Sequence, residues 1–546
     1  MRYLLFIGCF IGVAIASQAQ DQDDVVITTR KGEIQVHVQE DGHLRLNVPP
    51  KRIRKFQVTG WVQYSDFGAK GDGKTDDIDA IAATHAFANI YGLPVKADGN
   101  ASYYIGGKTR TAIIKTDTDF GKTSFIIDDT NVERRGAAVF MVSSGMQPFK
   151  PKGITSLRKN QANVDLTLPG PCLIAVVDTN VKQYIRFGPN QNNGSPQTDI
   201  FVVDKNGNVD MNAPIIWDFD HITDITALPI DETPLKITGG IFTTIANNEE
   251  SKYTYYSRNI AIRRSHVSVD GLVHYVTGEG DHGAPYNGFI DVGNCAYVTV
   301  KNAVLTGRKT YTTVGSAGRP VSMGTYDLLV NRALNVSFIN CTQTNDIQDA
   351  TYWGIMGSNF GKNLLYDGCT LSRFDAHQGV ANATIRNSTL GHMGINAIGT
   401  GIFTVENSTI LGRNIINLRP DYGSTWQGEL IIRNCVFQPA AGKPFSASLI
   451  GGNYTGLHDF GYVCYMPERI TIENLKIDDS NNPEGYKGPA LFTDFNPQMK
   501  DESYQEKFPY IKTKEVILKN ITTTSGKPLR ISDNLFMFKD VKMLEY

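Results

Sequence analysis

Along the second half of the chain, apolar and polar residues alternate in short bursts that end on the same residue type. VTVKN spans Val298 to Asn302, VSFIN spans Val336 to Asn340, and ATIRN spans Ala383 to Asn387. FTVEN (Phe403 to Asn407), LIIRN (Leu430 to Asn434), ITIEN (Ile470 to Asn474) and VILKN (Val516 to Asn520) continue the series. Weaker copies without the Asn fall at Leu235 to Gly239, Ile260 to Arg264 and Leu364 to Gly368. Alternation with period two predicts strands with one buried face. The copies are 19 to 46 residues apart. A fixed local pattern on a variable spacing predicts a coil whose strands stack while its loops differ in length. A propeller or a leucine-rich repeat would hold its period better. Ten such coils, at about 4.8 Å each, make a cylinder roughly 45 Å long.

The terminal Asn has a physical role in that arrangement. Asn tolerates unusual turn dihedrals, and stacked side-chain amides can bond from coil to coil. Cys341, Cys369 and Cys435 each follow the Asn slot, which predicts an inward stack of small apolar side chains. The triplets Asn340 to Thr342 and Asn387 to Thr389 match the glycosylation signature. They read as by-products of the ladder, with their turn slots expected to be buried.

Two regions precede the β-helix domain. Residues 1–19 read as a signal peptide, with Arg2 as its positive end, an apolar stretch from Leu4 to Ala16, and small residues before Gln20. A secreted or periplasmic location is therefore expected, with no membrane span, because no later apolar run is long enough. Residues 20–60 read as a β appendage with a turn at Asp41 and Gly42. The β-helix domain covers 61–546 and carries a β-rich insertion at about 145–232. The class is all-β: a right-handed parallel β-helix of about ten or more coils with an N-terminal capping helix.

Composition narrows the partners. Lys plus Arg number 53 against 55 for Asp plus Glu, so no basic excess exists to hold a nucleic-acid backbone. The six cysteines after Cys9 are scattered, with no paired spacing for a metal site, and read as buried thiols. A monomer is expected. No cofactor is required by the pattern. Ca²⁺ stays open, although no carboxylate cluster has clear Ca²⁺ spacing.

The segment YSDFGAKGDGKTDD, from Tyr64 to Asp77, runs into an apolar helical pattern from Ile78 to Ala88, with Thr75 placed to cap it. Its acidic residues and glycine spacing do not suit a phosphate loop. The segment resembles the N-terminal signature of the pectate-lyase superfamily, which includes polygalacturonases and rhamnogalacturonases. Pro94 to Gly106 continues the likeness, and with the Asn ladder it covers roughly 350 residues. The resemblance implies a groove along one side of the coil stack that cleaves polysaccharide.

The polar-rich middle coils mark where such chemistry would sit. Arg373, Asp375 and His377 follow Gly368; His392 follows Asn387; Arg413, Arg419, Asp421 and Tyr422 follow Asn407. By resemblance to polygalacturonases, Asp375 occupies the first of their paired aspartates, while Ala376 takes the second. His392 is similar to their histidine, and Arg419 to a cation of their Arg-Ile-Lys segment. Trp353 stands where they carry a third aspartate. An inverting hydrolase needs two carboxylates across the scissile bond, so the departures favour a lyase acting by β-elimination on a uronate polymer. Arg419 or Arg413 would neutralise the carboxylate, and His377 or His392 would act as base. Tyr422 is the expected acid, with Asp375 orienting a His. Arg373, Arg413, Trp353 and Asp421 would bind substrate, Trp353 as a stacking platform. Two alternatives remain: a glycoside hydrolase on the same scaffold, with Asp346 or Asp349 as its missing carboxylate, and a non-catalytic glycan-binding β-helix. A further cluster, Glu279, Asp281 and His282 with Tyr286 and Asp291, reads as an outer subsite, a cation site or a solvated loop.

Overall fold

A computed structural model describes residues 25–28, 33–39, 43–439, 445–453, 460–505 and 510–546. The expected signal peptide and the Asp41–Gly42 turn lie outside those residues. Parallel strands wind into a right-handed β-helix with three ladders of stacked strands. The ladder that ends on the Asn slot runs from Val62 to Glu545. Within it Val298 and Val300 are fully buried, while Thr299 faces outward. Each such aliphatic side chain contributes roughly 1.5–3 kcal/mol on burial, and the pattern repeats in every coil.

Two expectations about this ladder need correction. Its strand after Leu235 to Gly239 is Val267–Asp270, ending at Gly271, and not Ile260 to Arg264. The latter belongs to a second ladder, paired with Phe140–Ser143 and Ile290–Val292. Both segments alternate, so alternation alone could not tell which of two stacked sheets a strand joins. The Asn residues are also exposed rather than buried. They turn an outer corner with φ of 49–54°, and Gly239, Gly271 and Gly368 fill the same slot at 67–74°. Most other residues would lose about 1–2 kcal/mol in that left-handed conformation. Amides bond up the stack, Asn434 donating to Asn407 (3.1 Å), Asn474 to Asn434 (2.8 Å) and Asn520 to Asn474 (3.0 Å). A second amide ladder, Asn335, Asn363 and Asn382, lines the corner at the start of the same strands.

The helix α1 spans Pro50–Thr59, inside the stretch expected to be β appendage. Its three-stranded sheet occupies only Val25–Thr28, Gln35–Val38 and Leu44–Asn47. Helix α2, Ile78–Tyr91, is apolar on most sides and plugs the open end of the coils, with Phe56 of α1 against its Phe87. Asp77, not Thr75, holds its N-cap position, because Asp72 captures the Thr75 N–H and hydroxyl (2.8 Å each). Among the described residues no helix is long and apolar enough to cross a membrane.

Residues 172–229 form a three-stranded antiparallel sheet with a core of its own, including Ile174, Phe201 and Phe219. This insertion sits on the helix flank through Leu173 and Ile200 against Ala296 and Leu334, and through a buried Lys362–Asp199 ion pair at 2.7 Å. Its hairpin tip, near residues 184–194, is thereby carried to the helix groove. The six described cysteines are buried and free.

Candidate active site

Stacking brings the polar residues of the middle coils to one cleft of about 650 Å³. The second ladder forms its floor, where Arg373–Ala376 pair with Gly394–Ala397, and Asn396 with Asn417. Between Leu390 and Gly394 the strand carries a bulge, three residues standing against Ser372 alone. A bulge re-aims the side chains it carries, and here it puts His392 and Met393 on the wall. Gly391 permits the contact that fixes His392: a Cβ there would lie 2.0 Å from the Ile347 carbonyl oxygen. That carbonyl accepts from the His392 backbone N–H and faces Nδ1, both at 3.0 Å. A carbonyl only accepts, so in the neutral ring Nδ1 carries the proton and Nε2 the lone pair.

Of the nine residues singled out from the sequence, seven line the cleft: Trp353, Arg373, His377, His392, Arg413, Arg419 and Asp421. Asp375 and Tyr422 do not; they are buried behind it. Asp375 therefore does not orient a histidine. Its carboxylate lies 2.6 Å from the Arg373 guanidinium, and burial pushes its pKa up against the pull of that charge. His377 is oriented instead by Asn359, whose Oδ1 lies 2.9 Å from Nδ1. The Tyr422 hydroxyl stands 3.4 Å from His377 Nε2, under the floor and outside the cleft. Burial, reinforced by the Arg419, Arg373 and Arg186 guanidiniums, holds the His377 imidazole well below its usual range. It is neutral at ordinary pH.

Arg186 was not legible in the sequence, because it belongs to the insertion and no local motif marks it. It reaches the cleft from the hairpin tip and, with Arg419, clamps Asp421 at 2.7 and 2.6 Å. Burial alone would raise the Asp421 carboxyl; the two guanidiniums outweigh it and hold the group below the usual carboxylate range. Both guanidiniums also lie about 5 Å from the Tyr422 ring centre. Tyr326 is a second residue that sequence reasoning missed. It lines the cleft, and burial raises its hydroxyl pKa, so it keeps its proton. Trp353 is half-buried with the Arg373 guanidinium 5.1 Å from its ring, so one face is already occupied. Arg413 lines the cleft and is exposed.

The remaining candidates are not at the cleft. Asp346 and Asp349 spend carboxylate oxygens on the N–H groups of Gln348 and Thr351 in their own turn. In the upstream cluster Glu279 and Tyr286 line one small cavity, whereas Asp281 is fully exposed and Asp291 pairs with Arg263. Among the described residues no three His, Cys, Asp or Glu side chains converge on a metal-sized site.

No known family profile matches the chain. A segment is 30% identical over 128 residues to a capsule KL64-specific depolymerase of Klebsiella phage P510; it covers 18% of this chain and only 13% of that protein. Among solved structures, the tailspike gp61 of Pseudomonas phage phi297 superposes with a TM-score of 0.50 at 13% identity, over 85% of this chain and 80% of that one. The surface adhesin PfbA of Streptococcus pneumoniae gives 0.43 at 11% identity, over 85% and 91%. At 13% identity the tailspike likeness speaks for the fold alone, and that agrees with the stacked ladders: the chain is a right-handed parallel β-helix protein.

Proposed function

We propose that the chain is an exported polysaccharide lyase that cleaves a uronate-containing glycan by β-elimination. One observation carries the reading. Four guanidiniums, from Arg186, Arg373, Arg413 and Arg419, line the cleft against a single carboxylate, Asp421. A cleft of that sign attracts a polyanion and stabilises charge that develops on its carboxylate. The name of the Klebsiella phage relative, a capsule depolymerase, agrees with a polysaccharide substrate. The pattern of residues 1–19 supports export.

In this reading the arginines around His377 neutralise the uronate carboxylate, which makes the neighbouring C5–H acidic. His377 Nε2 takes that proton, a C4–C5 double bond forms, and the C4–O bond breaks. Tyr326, rather than Tyr422, returns a proton to the leaving oxygen. An incoming carboxylate also cancels part of the field that depresses His377, so substrate binding itself strengthens the base. His392, with Nε2 unbonded on the opposite wall, hydrogen-bonds the sugar. A hydrolase is less well served: Asp421 is held ionised between two arginines, and Asp375 is fully buried.

Incubation with a panel of acidic polysaccharides tests the proposal. Growth of the ultraviolet absorbance of unsaturated uronate, in step with new chain ends, is expected. New reducing ends without that absorbance would mean hydrolysis.

A further inference from the structure

A side groove on a parallel β-helix can run the length of the coils and take a chain anywhere along it. Here two segments meet at the end of the cleft nearer the N-terminus. The hairpin of Thr312–Val314 and Pro320–Ser322 rises from the loop that leads into the floor strand Tyr326–Asn331. The insertion tip comes from the opposite side, where Phe187 N–H donates to the Asp421 carbonyl at 2.9 Å. The two meet. Ala317 N–H donates to the Pro189 carbonyl at 3.0 Å, and the Ser316 hydroxyl donates to the Gln191 carbonyl at 2.6 Å. Beneath the junction, Asn190 bonds the Tyr253 hydroxyl, and the Tyr255 hydroxyl donates to the Gly324 carbonyl at 2.9 Å. Asn190, Tyr253, Tyr255, Ser322 and Gly324 all line that end of the cleft, whereas Arg413 stands exposed at the other.

We propose that this arch blocks the groove and makes the protein cut its glycan from a chain end. The inference rests on the reading of the cleft as a glycan lyase. A polymer threaded through the arch would have to break four hydrogen bonds and displace two tyrosines. A chain terminus needs only to enter past Arg413 and abut Tyr253 and Tyr255. The arginines and His377 then address a bond at a fixed distance from that terminus, so the products are short and uniform.

Gly315 offers the handle for a test. A Cβ there would lie 2.2 Å from the Pro189 carbonyl oxygen and 2.5 Å from Asn190 Oδ1, so Gly315→Val pries the hairpin from the insertion. With the native protein, the unsaturated chromophore should grow while polymer viscosity stays nearly constant, with one short product size from the earliest times. Gly315→Val should release mixed lengths and drop the viscosity early. A rapid viscosity loss with a ladder of lengths from the native protein overturns the arch proposal alone. Failure to cut any acidic glycan overturns the lyase reading and the arch with it. Should Gly315→Val fold poorly, native protein and polymer tethered to beads by one end or the other decide the same question. Release that depends on which end is tethered supports the arch, and equal release from both overturns it.

Discussion

Two histidines in this β-helix sit among the same kinds of residue and in different surroundings. His274 has Asp327 2.9 Å from Nδ1 and the Thr244 hydroxyl 2.9 Å from Nε2, with Arg308 3.5 Å from Asp327. By composition that is a hydroxyl, imidazole and carboxylate in a line. Yet His274 and Asp327 are fully buried, and the neighbouring cavity beside Tyr286 holds only about 10 Å³, room for roughly one water. His377 has an amide at Nδ1, a distant tyrosine at Nε2, and a cleft of about 650 Å³ before it. Polar atoms that face each other stabilise the coil; polar atoms that face a void are open to solvent or to a ligand. The distinction lies in the space and not in the residue types.

The largest effects should separate the two sites by kind. Asp327→Ala strands His274 and Arg308 without their carboxylate, and losing one partner of a buried ionic group costs about 3–5 kcal/mol of stability. Chemical denaturation should show that loss directly. His377→Ala should instead lower turnover by about 10²–10⁴-fold, the range for a positioned general base, with the thermal midpoint nearly unchanged. The comparison breaks if His377→Ala unfolds the protein while Asp327→Ala leaves it intact.

A smaller effect sharpens the same contrast through charge. Arg186 lines the cleft and its guanidinium is shared with Asp421. If it also binds a uronate carboxylate, Arg186→Ala removes a charge-assisted contact of about 1.5–3 kcal/mol. Calorimetric affinity for an oligouronate should fall about 10- to 100-fold. Affinity for the same oligomer after carboxyl reduction should not change. Equal losses on both ligands would make Arg186 a scaffold for the hairpin tip.

What the sequence reveals follows the reach of each constraint. The Asn slot is readable because left-handed backbone restricts residue type, and His377 and His392 are readable because coil register places them. Depth is not readable: Tyr422 and Asp375 lie at the right offsets but fall behind the floor, because Leu371 to Ala376 are buried on both faces of their strand and Tyr422 is turned inward by the short 3-10 helix Pro420–Tyr422. Arg186 is invisible for a different reason. Its position depends on Lys362 meeting Asp199 and on Leu173 packing near Leu334, contacts that link residues far apart along the chain.

The smallest effect concerns protons. Burial lowers the pKa of both His274 and His377, the first against the pull of Asp327 and the second with added repulsion from three arginines. The unfolded chain binds a proton at each near pH 6.5, whereas the folded protein does not. Below that pH the unfolded state therefore binds more protons, so stability falls as pH falls until the folded values are reached. Each such histidine contributes a slope of up to about 1.4 kcal/mol per pH unit. Asp327, whose pKa is lowered by His274 and Arg308 in spite of burial, adds its own loss only below about pH 4. Urea midpoints taken between about pH 6 and pH 4 should thus shift less in His377→Gln than in the native protein, by one histidine's slope. An oligouronate present throughout should also reduce the slope in the native protein, because its carboxylate lets His377 take up a proton. It should do nothing further in His377→Gln, since His274 lies beyond its reach. A slope unchanged by both the substitution and the ligand would mean that water in the cleft already solvates His377, and the contrast between the two histidines would then rest on geometry alone.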